Sequence, residues 1–416
     1  MSIGPTILLA VAVWLLLEAG LLLLHRRLQR DFQWLIGPAD ETPSFPPDLI
    51  EKYLRTSFDR DLGWVRRAKT IGEDRLLRKR TTFAIDATGC RFNPGHDGAP
   101  SRVAAFGDSY TFCRLVDDHE TWPHYLSDKL ATNVRNFGVG NYGLDQALLR
   151  VEKELPNLEA DTIVIGVVPE TIARVQSYWK HYFEYGNILA FKPRFTLDGD
   201  DLRLHRSAVQ SPGDFATVAA RLDAVRALDP FYVRKFRDDL LRFPRCWHLL
   251  RRWRRHGPVI VTLLRGLGRG DMQSASRLAF DVVMAENARW THRLYRDPEA
   301  TALLRALIGR FAETCRQAGK HPVLVIMPQP MDRPYLDDGR EAYRAFFAEQ
   351  AETLPVVDMT TDFLADPEPA SLYVEGALGP HVSAKGNRLI AERLAEQIRP
   401  LLQDSPSLPD ARSGSS

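Results

Sequence analysis

Several features that would have typed this chain quickly are scarce or missing. Its 416 residues hold only four cysteines, Cys90, Cys113, Cys246 and Cys315. None shows C-x-x-C spacing, so no disulfide framework organises a chain this long, and the four fit buried thiols that leave the redox compartment open. An excess of one charge is also missing: 55 Lys and Arg against 53 Asp and Glu give a net +2, which says little about partners. A hydrophobic content of 44% with 10% aromatics excludes wholesale disorder. No recognised module accompanies the basic stretches, so nucleic acid is not expected as a partner. The N-terminus lacks both the leading basic residues and the clean small-residue cleavage site of a secretory signal peptide.

What the N-terminus does have is an apolar run from Ile3 to Leu24, interrupted only by Glu18. At 1.5 Å per residue it reaches roughly the 30 Å of a bilayer core, and reads as an uncleaved single-pass anchor. Glu18 in lipid needs a partner helix or a proton. Arg26, Arg27 and Arg30 follow the run. By the positive-inside rule they place the large domain in the cytoplasm, a bias that long domains can override.

Residues 31–98 read as a mixed extension, with Pro43 to Pro47 as extended linker and short strands at Gly63-Trp64-Val65 and at Thr81 to Ile85. Arg91 to Arg102, broken by prolines and glycines, reads as a boundary. Strand and helix patterns then alternate: strands at 103–106, 133–137, 161–168, 321–327 and 354–357, and helices at 111–130, 144–155, 301–318, 341–351 and 382–402. Such alternation predicts βαβ units and a parallel sheet covered on both faces. The halves, 99–175 and 298–403, are separated by an insertion, 176–297. It opens with aromatics (Trp179 and Tyr182 among them) and continues with a basic stretch that carries Trp247 and Trp253. That stretch reads either as a contact for anionic headgroups or an anionic glycan, or as a solvated helical face. The tail, 404–416, is polar and reads as disordered.

Three motifs carry chemistry. The apolar strand Val103 to Phe106 stops at Gly107-Asp108-Ser109, where a serine hydroxyl projects beyond a sheet edge, the place where open α/β folds bind ligands. Gly-Asp-Ser alone is also a plain turn and helix N-cap. Gly138-Val-Gly140-Asn141-Tyr142-Gly143 satisfies G-x-G-x-x-G. Its strand is not the first of the sheet, and no acidic-ended strand follows about 20 residues on, so a pocket-lining loop is preferred to a dinucleotide site. His381, just ahead of the last helix, can reach back to Ser109, and a serine hydroxyl needs such a base.

Together, Gly107-Asp108-Ser109, the loop Asn136 to Gln146, and His381-x-Ser-x-x-Gly-Asn-Arg-Leu-Ile-Ala resemble the SGNH (GDSL-type) hydrolases over about residues 99–175 and 300–403. The resemblance implies a three-layer αβα, flavodoxin-like domain with a parallel sheet, joined here to a largely helical insertion and an N-terminal transmembrane helix. It implies Ser109 as nucleophile, His381 as general base and the Ser109 N–H as one oxyanion donor. It departs from the family pattern in three places. The second donor, a glycine N–H, falls at Asn141, beside Gly140. The family's asparagine donor falls at Glu170, where a carboxylate would repel an oxyanion; losing one donor costs about 2.7–4 kcal/mol. The acid three residues before the histidine is replaced by Leu378, leaving Glu375, Asp358 or Asp362 as substitutes, or a dyad without an acid. Asp108, Tyr110, Tyr142, Trp179 and Tyr182 are substrate-binding candidates.

The expectation is therefore a membrane-anchored serine esterase or O-deacylase acting on an acyl ester, with a polysaccharide or glycolipid as the substrate class suited to an anchored enzyme. An O-acyltransferase on the same dyad and a catalytically silent glycan- or protein-binding module are the alternatives. No cofactor and no metal are expected. Anchored SGNH proteins mostly act outside the cytoplasm, which opposes the arginine flank and leaves the side open.

Overall fold

The computed structural model describes residues 3–76, 80–336, 342–376 and 379–403. The expected tail 404–416 and Leu378 lie outside the described residues. The described residues form two compact units: one draws on the ranges up to 65, 176–196 and 204–293, the other on 66–175, 197–203 and from 294 to 403.

The second unit is an αβα sandwich. Its sheet comprises β1 (Val103–Gly107), β2 (Val134–Asn136), β3 (Thr162–Val167), β4 (His321–Ile326) and β5 (Val356–Asp358). The strands run in the order β5-β4-β3-β1-β2, all parallel. Every residue of β1 and β3 is buried, as a strand covered on both faces requires. The last helix, Ala384–Gln403, presents Ile390, Leu394 and Ile398 to the core at helical spacing, each 0% exposed. Each such side chain contributes roughly 1.5–3 kcal/mol by leaving water. The chain leaves β1 toward β2 on one side and returns to β3 on the other. The resulting switch point, at the carboxyl ends of β1 and β3, opens a crevice in folds of this kind.

Two expectations change here. The helix read across 111–130 is two pieces, Ser109–Phe112 and Trp122–Leu130, with a 3-10 turn at Asp118–Glu120 between them. Cys113 adopts a left-handed backbone (φ 60°), which ends the first piece, and Thr121 caps the second by accepting the His124 N–H. The stretch from Arg91, read as a boundary, is knitted into the unit. Arg91 pairs its backbone N–H with the Asn136 carbonyl on β2. Its guanidinium, 3% exposed, donates to the carbonyls of Phe112 (2.7 Å), Cys113 (2.6 Å) and Val116 (2.7 Å) and to Asp118 (2.7 Å).

In the first unit, Ile3–Gln29 is a single helix. Its stretch Gly4–Gln29 is long and apolar enough to cross a membrane, and an 18-residue run within it has a mean hydropathy of 2.6. Pro43 to Pro46 carry no helix or strand, and only Pro47 of the expected linker joins a helix, Pro47–Thr56, whose first turn tolerates proline. Trp179 stacks on Phe191 (4.7 Å) and meets Tyr182 edge-on (4.8 Å), while Tyr182 packs on Phe236 (5.0 Å). Part of the basic stretch is spent inside this unit. Asp239, 0% exposed, pairs with Arg252 (2.6 Å), Arg255 (2.9 Å) and Lys235 (3.6 Å).

Arg91→Met would strand Asp118 and three carbonyls, and breaking a buried pair in this way costs about 3–5 kcal/mol. Urea unfolding of the variant is expected to show that loss; a change under about 1 kcal/mol would mean Arg91 is not the anchor described.

Candidate active site

β1 ends in a close approach. Gly107 has φ +145°, and a Cβ there would lie 2.0 Å from the Gly166 carbonyl oxygen on β3 and 2.4 Å from Thr111 Oγ1. Only glycine fits so tight a crossing. Asp108 follows, 1% exposed, and its carboxylate accepts the Tyr110 N–H (2.8 Å), capping the short helix that begins at Ser109. Thr111 donates its hydroxyl to the Gly166 carbonyl (3.0 Å). Ser109, as the first helical residue, has no intrahelical acceptor for its N–H.

His381 comes from the other end of the chain. It sits in a two-residue antiparallel ladder, Tyr373–Val374 against His381–Val382, just before the final helix. Its Nε2 lies 2.9 Å from Ser109 Oγ, and the two residues are 7% and 6% exposed. Nδ1 lies 3.3 Å from the Gly379 carbonyl oxygen. A carbonyl only accepts, so this bond puts the proton on Nδ1 and leaves the Nε2 lone pair to accept the Ser109 hydroxyl proton. That is the tautomer an orienting carboxylate normally selects. Asp358 and Asp362 are committed elsewhere, to Arg344 (3.2 Å) and Arg393 (2.5 Å). Glu375 is exposed and lines a groove.

Tyr110 braces the pair. Its hydroxyl donates to the Pro380 carbonyl (3.0 Å), and its ring lies 5.1 Å from that of His381. The ring is 2% exposed, so Tyr110 is placed to hold His381 rather than to meet a large ligand. Burial pushes the His381 imidazole down to about 3, the Arg114 charge adds to that shift, and the Gly379 bond opposes it. Arg114 itself is held by Asp74 (2.7 Å), a buried carboxylate on the hairpin strand Thr70–Arg75.

The glycine-rich loop is stitched to the serine turn. Asn136 donates to the Thr111 carbonyl (2.9 Å) and accepts the Gly138 N–H (2.9 Å), and Val139 N–H reaches the Gly107 carbonyl (2.9 Å). Gly140 passes beside the serine, since a Cβ on it would lie 3.9 Å from Ser109 Cβ. Asn141 is exposed and left-handed (φ 68°), a backbone that asparagine tolerates. Glu170, 5% exposed, is not a bare carboxylate: Arg174 Nη2 donates to it at 2.6 Å. The same guanidinium donates to Asp108 (2.9 Å) and to the Tyr142 carbonyl (3.2 Å). Arg174 is the residue that sequence reasoning missed. The available signal was its i, i+4 spacing from Glu170.

Tyr142 is 1% exposed, and Trp179 and Tyr182, both 0% exposed, are core side chains of the first unit. A groove of ≈ 280 Å³ opens instead at the carboxyl ends of β4 and β5, lined by Gln329, Arg333, Phe363, Leu364, Tyr373 and Glu375 among others. Tyr373, which lines the groove, belongs to the His381 ladder, so the groove adjoins the dyad. Among the described residues, His96, His124 and Asp128 form the one group whose ligand atoms lie close enough for a metal, and His96 already bonds Asp128 (2.9 Å) as an ion pair would.

No family model and no curated protein matches the chain. Among solved structures it is similar to a protein of the G-D-S-L family from Desulfitobacterium hafniense, at 12% identity over 71% of this chain and 97% of that one, with a TM-score of 0.30. It is also similar to the lipase/acylhydrolase from Enterococcus faecalis, at 14% identity over 74% and 99%, with a TM-score of 0.33. The αβα assignment stands on the strand order and register above.

Because desolvation and Arg114 hold His381 neutral, its ring is expected to stay unprotonated from pH 8 down to about pH 5 in a histidine-labelled NMR titration. Arg114→Gln removes a positive charge and frees Asp74, both of which raise the value. A wild-type ring titrating near its ordinary 6.5 would contradict the account.

Proposed function

We propose that the chain is an SGNH-type serine esterase or O-deacylase, held at a membrane by its N-terminal helix. The observation that carries this reading is the 2.9 Å Ser109–His381 bond, with Nδ1 turned to the Gly379 carbonyl. In the proposed reaction Ser109 Oγ attacks an acyl carbonyl while Nε2 takes its proton. The Ser109 N–H, with backbone from the Gly140–Asn141 loop, receives the developing oxyanion. That new negative charge raises the affinity of the buried imidazole for a proton, which couples proton transfer to oxyanion formation. Returning the proton expels the alcohol, and water then releases the acid by the same steps in reverse.

The pairing of Glu170 with Arg174 supports the reading, because it removes the bare carboxylate that would oppose an oxyanion. The groove beside Tyr373 is of a size and mixed polarity suited to an acyl chain or a sugar. A glycan or glycolipid O-acyl group is the substrate class that a membrane-held enzyme with such a groove would take. A silent binding module is favoured by one observation, the carbonyl standing where an orienting carboxylate is usual.

Full-length protein is expected to hydrolyse a chromogenic acetyl ester, and Ser109→Ala and His381→Ala are each expected to lower kcat by at least about 10³-fold. Turnover that survives both substitutions would overturn the assignment, and adding an acceptor sugar divides hydrolysis from transfer. The kcat/KM profile is expected to be flat from about pH 5 to 8, since His381 is already a free base there. Ala370→Trp, which fills the groove, is expected to raise KM for long-chain esters by about tenfold while leaving acetyl ester turnover unchanged.

A further inference from the structure

The first unit carries a surface that the proposed reaction does not use. Within eleven residues, Phe243 (57%), Trp247 (59%), Leu250 (69%) and Trp253 (52%) all stand exposed. Scattered exposed apolar side chains are ordinary, but a cluster of large ones marks a contact. The cluster is joined to the N-terminal helix well inside its apolar run. Phe243 packs on Trp14 with ring centroids 5.3 Å apart. Glu18, 4% exposed, accepts the backbone N–H groups of Arg245 (2.7 Å) and Cys246 (2.8 Å), the first two residues of the helix Arg245–Arg251. Glu18 lies six residues before Leu24, or about 9 Å at 1.5 Å per residue. A segment attached at the level of Trp14 and Glu18 shares whatever surrounds that part of the helix.

We propose that Phe243–Trp253 is a second membrane-seated segment, which dips beside the N-terminal helix into one leaflet of a phospholipid bilayer. This rests on the anchored reading above. Phe243, Trp247 and Leu250 lie among acyl chains, and the segment returns to the headgroup level at Trp253, a residue type that favours that boundary. Arg251 and Arg254 then meet lipid phosphates, the charge complement of a basic stretch. Backbone polar groups in hydrocarbon must be satisfied internally. The segment meets that demand through its helix and through Glu18, whose carboxylate takes two N–H groups at the helix start. The same bonds account for the only acidic residue in the apolar run.

The test uses the full chain in phospholipid nanodiscs, with Cys246→Ser removing the one cysteine that is not buried. A nitroxide is placed in turn at Trp247→Cys and Leu250→Cys, with Leu16→Cys as the reference for the anchor and Asp223→Cys, on a 94% exposed side chain, as the reference for water. Collision with oxygen and with a water-soluble nickel chelate is then read by electron paramagnetic resonance. Positions 247 and 250 are expected to shift to the oxygen-rich, nickel-poor range of position 16. If position 16 reports lipid while 247 and 250 match position 223, the second segment is overturned and the anchor stands. If position 16 itself reports water, the anchored reading fails and the proposal falls with it.

Discussion

The site depends on how closely β1 passes β3 at its carboxyl end. Gly107 and Gly166 face each other across the ladder with no room for a Cβ on the former. That contact turns the chain upward, lets Asp108 cap the next turn and lifts Ser109 to the sheet edge. Thr111 returns a hydrogen bond to the same Gly166 carbonyl, so the turn is closed from both sides. Everything else at the site is brought to this crossing: the Asn136 loop from β2, Arg174 from the segment after β3, and His381 from the far end of the chain.

Electrostatics at the crossing are organised by pairing rather than by exposure. Arg174 gathers Asp108, Glu170 and the Tyr142 carbonyl, and Arg114 is matched by Asp74. Buried carboxylates left bare would be strongly unfavourable, and each here meets a guanidinium with direct hydrogen bonds. His381 is kept uncharged by its burial, its orientation set by a backbone carbonyl and by the Tyr110–Pro380 brace. The outcome is an imidazole that stays neutral over a wide pH range, with its Nε2 turned to the Ser109 hydroxyl.

Much of this was legible in the sequence, because steric and chemical demands there are local. A buried strand ending in Gly-Asp-Ser, a glycine-rich loop and a histidine before the last helix mark the crossing, and alternating periodicity gave the parallel sheet. What was not legible needed the third dimension. The apolar spacing of 111–130 hid the left-handed break at Cys113. Arg174 belongs to none of the motifs and Arg91 reads as part of a loose boundary, although each proves to be a buried hub. The aromatics Trp179 and Tyr182 read as pocket lining, yet they are core, a distinction that composition cannot draw.

The central claim is that Ser109 is a nucleophile activated by His381. Its most direct test is intact-mass and peptide analysis of the full-length protein after exposure to a fluorophosphonate, which captures serines poised for attack. The account predicts one phosphonyl adduct per chain, carried by the peptide containing Ser109 and lost in Ser109→Ala. An unmodified wild-type chain, or an adduct on another residue, would contradict it.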